Sequence, residues 1–382
     1  MSKTILFITG TRADFGKIKP LIQRLDDSDS FERTLFVTGM HTMSRYGYTV
    51  VEIYKSLNEK LLPTGSRNIY TFMNQIAGQP MEQILANTIN GISSYVHEFV
   101  PDMIVVHGDR VEAMAGAIVG SLRNILVAHI EGGELSGTVD DLIRHSITKL
   151  AHIHFVANEE AAARLKQLGE NQNSIFIIGS PDIDIMLSPE LPSIEKVKDY
   201  YEIPFEEYGC VLFHPVTSDS EETALAVKAM VSALLNSPYS YVVIYPNNDE
   251  GCELIFSEYE RLKNNPRFVV FPSLRMEYFL TLLKNCLFII GNSSAGIREA
   301  PVYGVCSINI TSRQMNRFNS KSIINVEGEV GALGKIIAET KHRTSCKPCY
   351  HFGQGNSADL FMTAIKDPKL WSIFTQKQFV DI

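Results

Sequence analysis

Thr4-Ile-Leu-Phe-Ile-Thr-Gly-Thr-Arg-Ala-Asp-Phe-Gly-Lys17 is an apolar strand running into a Gly-rich turn that opens a helix, and this succession recurs along the chain. Outward from it, short Ile- and Val-rich runs alternate with helix-length amphipathic stretches, the pattern of a parallel sheet covered on both faces. The first half predicts strands at 4–9, 34–37, 103–107, 125–130, 153–156 and 175–178. The second half predicts them at 210–213, 241–245, 268–271, 287–290 and 306–310. The fold class is therefore α/β, with two Rossmann-like doubly wound domains. Between the two sets, Gly179-Ser-Pro-Asp182, Leu191-Pro-Ser193 and the charged stretch 195–201 gather Pro and charge without strand periodicity, as a linker does. The predicted division is 1–180, a linker over 181–205, a second domain over 206–360, and a tail over 361–382 that can pack back on the first domain.

A length of 382 residues suits two cores of ordinary size. The net charge of −8 argues against a nucleic-acid or anionic-membrane partner, so a phosphorylated ligand would be held locally. The N-terminus runs straight into a strand with no signal-like region, and no apolar stretch reaches membrane-spanning length, so a cytoplasmic enzyme is expected. Cys210, Cys286 and Cys306 lie in apolar runs, the setting of reduced core thiols. Cys346-Lys-Pro-Cys349 lacks a second pair at zinc-ribbon spacing, and no metal is expected.

In open parallel sheets ligands bind beyond the carboxyl ends of the strands, and the polar residues fall there. Gly10-Thr-Arg-Ala-Asp-Phe-Gly-Lys17 has one residue too many for a P-loop, and Ile18 stands where a Mg²⁺-binding hydroxyl is needed. The Gly-x-Gly-x-x-Gly dinucleotide fingerprint is missing, which argues against bound NAD. Arg12 in this turn is a candidate ligand contact or simply an exposed turn residue. His107-Gly-Asp-Arg110 and His129-Ile-Glu-Gly-Gly-Glu134 follow two further strands, and Asp140 opens the next helix. Asp109, Glu131 and Asp140 thus reach one sheet edge, where mutual repulsion suits a general acid and base pair. Singly, Asp140 can form an i, i+4 pair with Arg144 and Asp109 can cap its helix.

The second half places His214-Pro-Val-Thr217, Tyr245-Pro-Asn-Asn-Asp249 and Gly291-Asn-Ser-Ser-Ala-Gly-Ile-Arg-Glu299 after its strands. A Ser-Ser-x-Gly turn opening a helix offers hydroxyls, bare backbone N–H groups and the positive helix end to a diphosphate. Glu299, just over one turn on, can accept the protons of a ribose diol. Ser293 and Ser294 can equally be caps, and His214 a satisfied core histidine.

Together these segments, over about Ile5 to Arg317, resemble the hydrolysing UDP-N-acetylglucosamine 2-epimerases of sialic-acid pathways, with Glu131-Gly-Gly-Glu134 pointing to the hydrolysing branch. The resemblance implies a GT-B-like fold, two domains facing across a cleft that holds the active site, UDP held mainly by the second domain, and no metal or redox cofactor. It implies that Arg12, His214, Leu274, Ser293, Ser294, Glu299 and Arg313 contact UDP with Asp249 nearby, that Lys17 and Arg110 also serve substrate binding, and that Asp109, Glu131 and Asp140 face the sugar. Gly16 departs from relatives that place a Ser there. A UDP-sugar substrate and UDP product follow, as does a homodimer or homotetramer; the helical stretch 73–99 is a candidate contact, and its apolar residues can equally be intradomain core. The same motifs fit a UDP-N,N′-diacetylbacillosamine 2-epimerase. A GT-B glycosyltransferase would share the UDP site without needing the three carboxylates, and a silent UDP-sugar sensor would bind without releasing UDP.

Overall fold

The computed structural model describes residues 2–59, 68–136, 139–216, 219–247, 249–314, 317–326, 332–340 and 346–381. Gly137, Thr138, Thr217 and Asn248, which belong to the motifs above, lie outside these residues. The chain forms two compact units. Unit 1 comprises Met1–Glu134, Asp140–Leu187 and His351–Ile382, and unit 2 comprises Leu135–Val139 and Ser188–Tyr350.

Unit 1 runs β1 (Lys3–Thr9), α1 (Arg12–Asp26), β2 (Phe31–Val37), α2 (Val50–Ser56), β3 (Ile69–Thr71), α3 (Met81–Glu98), β4 (Met103–His107), α4 (Val111–Leu122), β5 (Leu126–Ile130), α5 (Val139–Leu150), β6 (Ile153–Val156), α6 (Glu159–Gln167), β7 (Ile175–Ile177) and α7 (Pro181–Met186). Unit 2 follows with α8 (Ile194–Tyr201), β8 (Gly209–Leu212), α9 (Ser220–Asn236), β9 (Tyr241–Ile244), α10 (Cys252–Tyr259), β10 (Phe268–Phe271), α11 (Met276–Lys284), β11 (Phe288–Gly291), α12 (Glu299–Val302), β12 (Cys306–Ile310), β13 (Ile323–Val326) and α13 (Leu333–Thr340). The chain returns to unit 1 with α14 (Ser357–Lys366) and α15 (Pro368–Trp371).

Both sheets are parallel. Among the described residues, unit 1 has seven strands in the order β3-β2-β1-β4-β5-β6-β7, and unit 2 has six in the order β10-β9-β8-β11-β12-β13. Each order reverses beside its first strand, the doubly wound arrangement that opens a crevice at the strands' carboxyl ends. The central strands β4 and β5 are buried at every residue, which is why they read as near-continuous apolar runs, interrupted only by His107 and His129, and not as alternation. The short edge strands β3 and β13 are additions to the expected set. One spans three residues and the other four with Asn325 inside it, too little for a run to stand out.

Each unit has its own core. In unit 1, Ile5, Phe7, Leu35, Val105, Ala128 and Phe155 form the sheet side of the cluster. The returning segment adds Phe361, Ile365 and Leu370, and the Phe361 and Phe155 rings meet edge to face at 5.0 Å. Full burial of one such phenylalanine contributes roughly 2–3 kcal/mol. The return is also fixed by polar geometry, since both Asp184 carboxylate oxygens accept α14's first N–H groups, from Ser357 and Ala358, at 2.8 Å. The stretch predicted as a linker is partly helical, with α7 in unit 1 and α8 in unit 2.

Candidate active site

In unit 1 the polar residues gather where the carboxyl ends of β1, β4 and β5 meet the turns that follow them. Thr11 caps α1 by accepting the Asp14 N–H at 3.1 Å, and the Asp14 carboxylate accepts the Gly10 N–H at 2.9 Å, so the turn after β1 is closed by its own side chains. This aims Asp14 at His107, the last residue of β4, whose Nδ1 lies 3.3 Å from Asp14 Oδ1. His107 Nε2 lies 3.7 Å from Glu131 Oε2. Burial alone would push the His107 imidazole down, but the Glu131 and Asp14 carboxylates outweigh it and hold its pKa at about 9.

Glu131 follows β5 in a left-handed conformation with φ of 70°, uncommon for a residue with a Cβ and typical of a constrained site. Positive groups face it. The Lys17 ammonium lies 3.3 Å from Oε1, His107 stands beside Oε2, and Arg144 Nη1 lies 3.9 Å from Oε2 while donating to the Glu131 carbonyl at 3.0 Å. Lys17, expected to serve substrate binding, is buried and is also 3.7 Å from the fully buried Asp182. Arg144 is fully buried as well, and its other amino group binds the Asp109 carboxylate. Asp109 therefore does not cap α4: the cap residue is Arg110, which makes no side-chain cap bond and points its guanidinium at Glu112, 3.3 Å away.

Asp109 and Glu131 are thus joined through Arg144, and Asp140 lies half-buried in the first turn of the helix that carries Arg144. Arg12, the first residue of α1, has its guanidinium 3.6 Å from Glu52. Sequence reading alone does not single out Asp14, His107 and Asp182. His107 and Asp14 lie inside the quoted motifs, which is the available signal, whereas Asp182 falls in the predicted linker.

In unit 2 the corresponding strand ends hold a second set. Asn292 bridges β8 and β11, accepting the His214 N–H at 2.7 Å and donating to the His214 carbonyl at 2.8 Å. The Asn247 N–H donates to His214 Nδ1 at 3.1 Å, so in the neutral ring the hydrogen belongs on Nε2. Gly291 has φ of 144°, and a Cβ there would come 1.8 Å from the Leu212 carbonyl oxygen, so only glycine allows β11 to turn against β8. Ser293 accepts the Ala295 N–H at 3.3 Å as a cap.

The helix predicted after this turn is broken into a 3₁₀ turn over Ser294–Gly296 and the four-residue α12, which Glu299 begins. Two local facts account for the break. A Cβ on Gly296 would come 2.4 Å from Ser307 Oγ, which records how closely the turn presses on β12, and Pro301 interrupts the hydrogen-bond ladder. Ser294, Glu299 and Arg313 lie around this turn, with Glu299 buried and Arg313 Nη1 donating to the Asn292 carbonyl at 3.3 Å. Leu274 is buried just ahead of α11, and Asp249 is half-buried after β9.

Among the described residues no group of three or more His, Cys, Asp or Glu is placed to hold a metal ion, and no helix is long and apolar enough to cross a membrane. What unit 1 offers is a carboxylate beside the imidazolium of His107 and the ammonium of Lys17, a set suited to moving protons.

The model of the UDP-N-acetylglucosamine 2-epimerase family matches residues 23–366. The chain is 48% identical to the UDP-N-acetylglucosamine 2-epimerase of Neisseria meningitidis serogroup B, over 100% of this chain and 99% of that protein. It is 30% identical to the UDP-N,N′-diacetylbacillosamine 2-epimerase (hydrolyzing) of Legionella pneumophila, over 99% of each. The solved UDP-GlcNAc 2-epimerase of Methanocaldococcus jannaschii, in complex with UDP-GlcNAc and UDP, superposes with a TM-score of 0.79 at 20% identity, over 95% of this chain and 99% of that one, which shows a shared fold.

Proposed function

The chain belongs to the UDP-N-acetylglucosamine 2-epimerase family, and from that premise we propose that it is a hydrolysing enzyme converting UDP-GlcNAc and water to ManNAc and UDP. The observation that carries the reading is Glu131, held in a left-handed conformation between Lys17, His107 and Arg144 and joined through Arg144 to Asp109. The sugar C2–H has no neighbouring carbonyl to acidify it. The feasible route is departure of UDP from C1 with its bonding electron pair, while a carboxylate takes the C2 proton and the C–H pair becomes the C1–C2 double bond of a 2-acetamidoglucal. Water then adds at C1, and C2 is reprotonated on the opposite face.

Within this proposal Glu131 and Asp140 exchange protons with the sugar, and Asp109, fixed by Arg144, orients it. In unit 2, Ser293, Ser294, Glu299, Arg313, His214 and Leu274 hold UDP, with Asp249 nearby. The Nε2–H of His214 and the backbone of the Ser293 turn meet the leaving diphosphate, whose developing charge such donors stabilise. Arg12 and Arg110 serve the same substrate. The 30% relative that acts on the bacillosamine nucleotide carries a second reading, the same chemistry on a 4,6-modified sugar.

The test is proton NMR in D₂O with UDP-GlcNAc and, separately, UDP-N,N′-diacetylbacillosamine. ManNAc labelled at C2 with free UDP is expected from the first. Labelled product from the bacillosamine nucleotide alone would move the enzyme to the second reading, and turnover of neither would leave a glycosyltransferase. For the roles, Glu131→Gln is expected to lose about 10²–10⁴-fold in turnover, the usual worth of a general acid or base. Near-normal turnover by Glu131→Gln, with Asp109→Asn alone abolishing deuterium exchange, would refute the assignment.

A further inference from the structure

Thr375, Gln376 and Lys377 are tied to unit 1 by polar groups and not by apolar packing, since the flanking Phe374 and Phe379 are 66% and 88% exposed. The Lys377 ammonium donates to the carbonyls of Thr148 at 2.9 Å and Ala151 at 2.7 Å, and it pairs with the Glu170 carboxylate. Those carbonyls lie at the C-terminal end of α5, where a helix leaves acceptors without partners and carries the negative end of its dipole. The same buried Glu170 also takes Lys149 at 2.8 Å and His154 at 3.0 Å. Next to it, His152 Nδ1 accepts the Val127 N–H at 3.0 Å, so its Nε2–H donates to the Thr375 carbonyl at 2.9 Å. Gln376 bonds to Asn124.

The other end of α5 carries Asp140 and, one turn on, Arg144, which holds Asp109 and the Glu131 carbonyl. A second line starts from Thr148. Its hydroxyl meets His129 Nδ1 at 3.1 Å, and His129 Nε2 meets the Gly108 carbonyl at 2.8 Å. A carbonyl can only accept, so the hydrogen is on Nε2 and Nδ1 accepts from the hydroxyl. Burial pushes the His129 pKa down to about 3 and keeps the ring in the neutral state this bridge requires. Gly108 immediately precedes Asp109.

We propose that Lys377 is a positioning residue of the reaction: by capping α5 it fixes the seat of Arg144 and, through Thr148 and His129, the Gly108–Asp109 turn. The inference rests on the function proposed above, because the reaction supplies its kinetic readout. Lys377 touches neither Glu131 nor Asp109, and its effect runs along a rigid 12-residue helix and one buried imidazole. A displacement of order 1 Å at a catalytic carboxylate is enough to lower turnover by up to about 10²-fold.

The experiment compares full-length wild type, Lys377→Met and Lys377→Arg in kcat and KM for UDP-GlcNAc, UDP affinity, and amide hydrogen exchange at residues 108–110 and 140–150. The expected result for Lys377→Met is a kcat about tenfold lower with UDP affinity within about twofold. Exchange should be faster at both segments, and Lys377→Arg should recover most of kcat because a guanidinium can still donate to the two carbonyls. A wild-type kcat in Lys377→Met would overturn the proposal, and so would a parallel fall of kcat, UDP affinity and protection throughout the chain, which marks general destabilisation. Absence of UDP release by the wild type would refute the function reading instead. Exchange then decides alone: unchanged protection at 108–110 in Lys377→Met overturns positioning, and loss confined to 108–110 and 140–150 supports it.

Discussion

Glu131 shows at the scale of one residue how the fold surrounds a buried carboxylate, since it sits at a left-handed backbone angle with an ammonium, an imidazole and a guanidinium beside it. The two buried histidines nearby have opposite linkage to pH. His107 has its pKa raised to about 9, so its contribution to stability is complete below the unfolded value near 6.5 and is lost as pH rises through 9. His129 is lowered to about 3, so the unfolded chain binds its proton first and stability falls as pH drops below about 6.5. Urea midpoints of wild type and His107→Gln measured from pH 6 to 10 should converge at the alkaline end, the wild type losing its advantage between about 6.5 and 9. Parallel curves across that range would show that His107 is not held charged.

At the scale of elements, the turns after the strands carry the geometry, and the least replaceable is the one after β11. Gly291→Ala would place a Cβ 1.8 Å from the Leu212 carbonyl in a backbone region closed to other residues, so β11 would have to part from β8. Destabilisation beyond about 3 kcal/mol is expected, above the usual 1–3 kcal/mol for an unfavourable backbone conformation alone. Thermal melting measures it, and a melting temperature within a degree or two of wild type would show that the β8–β11 contact relaxes freely. The break between the 3₁₀ turn at Ser294 and α12 belongs to this scale too, because local pattern announced a helix while Gly296, Pro301 and the closeness of Ser307 decided how short it would be.

For the whole molecule, the two units divide the labour in the proposed reaction, and variants should separate accordingly. Glu299→Ala in unit 2 should weaken UDP binding about tenfold or more, the worth of a charge-assisted hydrogen bond, while saturating turnover changes less. Isothermal titration with UDP beside steady-state kinetics tests this, and a fall in kcat with untouched UDP affinity would remove Glu299 from the nucleotide. The class of fold is legible in the amino-acid sequence, because the apolar runs at β1, β4, β5, β8 and β11 and the amphipathic stretches between them are written within windows of about ten to twenty residues. The sequence also places Asp109 and Glu131 after readable strands and Asp140 at the opening of a readable helix. The pairing of Lys17 with Glu131 and Asp182, the link from Asp109 to Glu131 through Arg144 and the Lys377 cap on α5 come from the folded path alone. Those contacts join residues 13 to 229 apart, and no local period records them. They follow from burial, which obliges each charge withdrawn from water to find whichever partner the folded path has brought within reach.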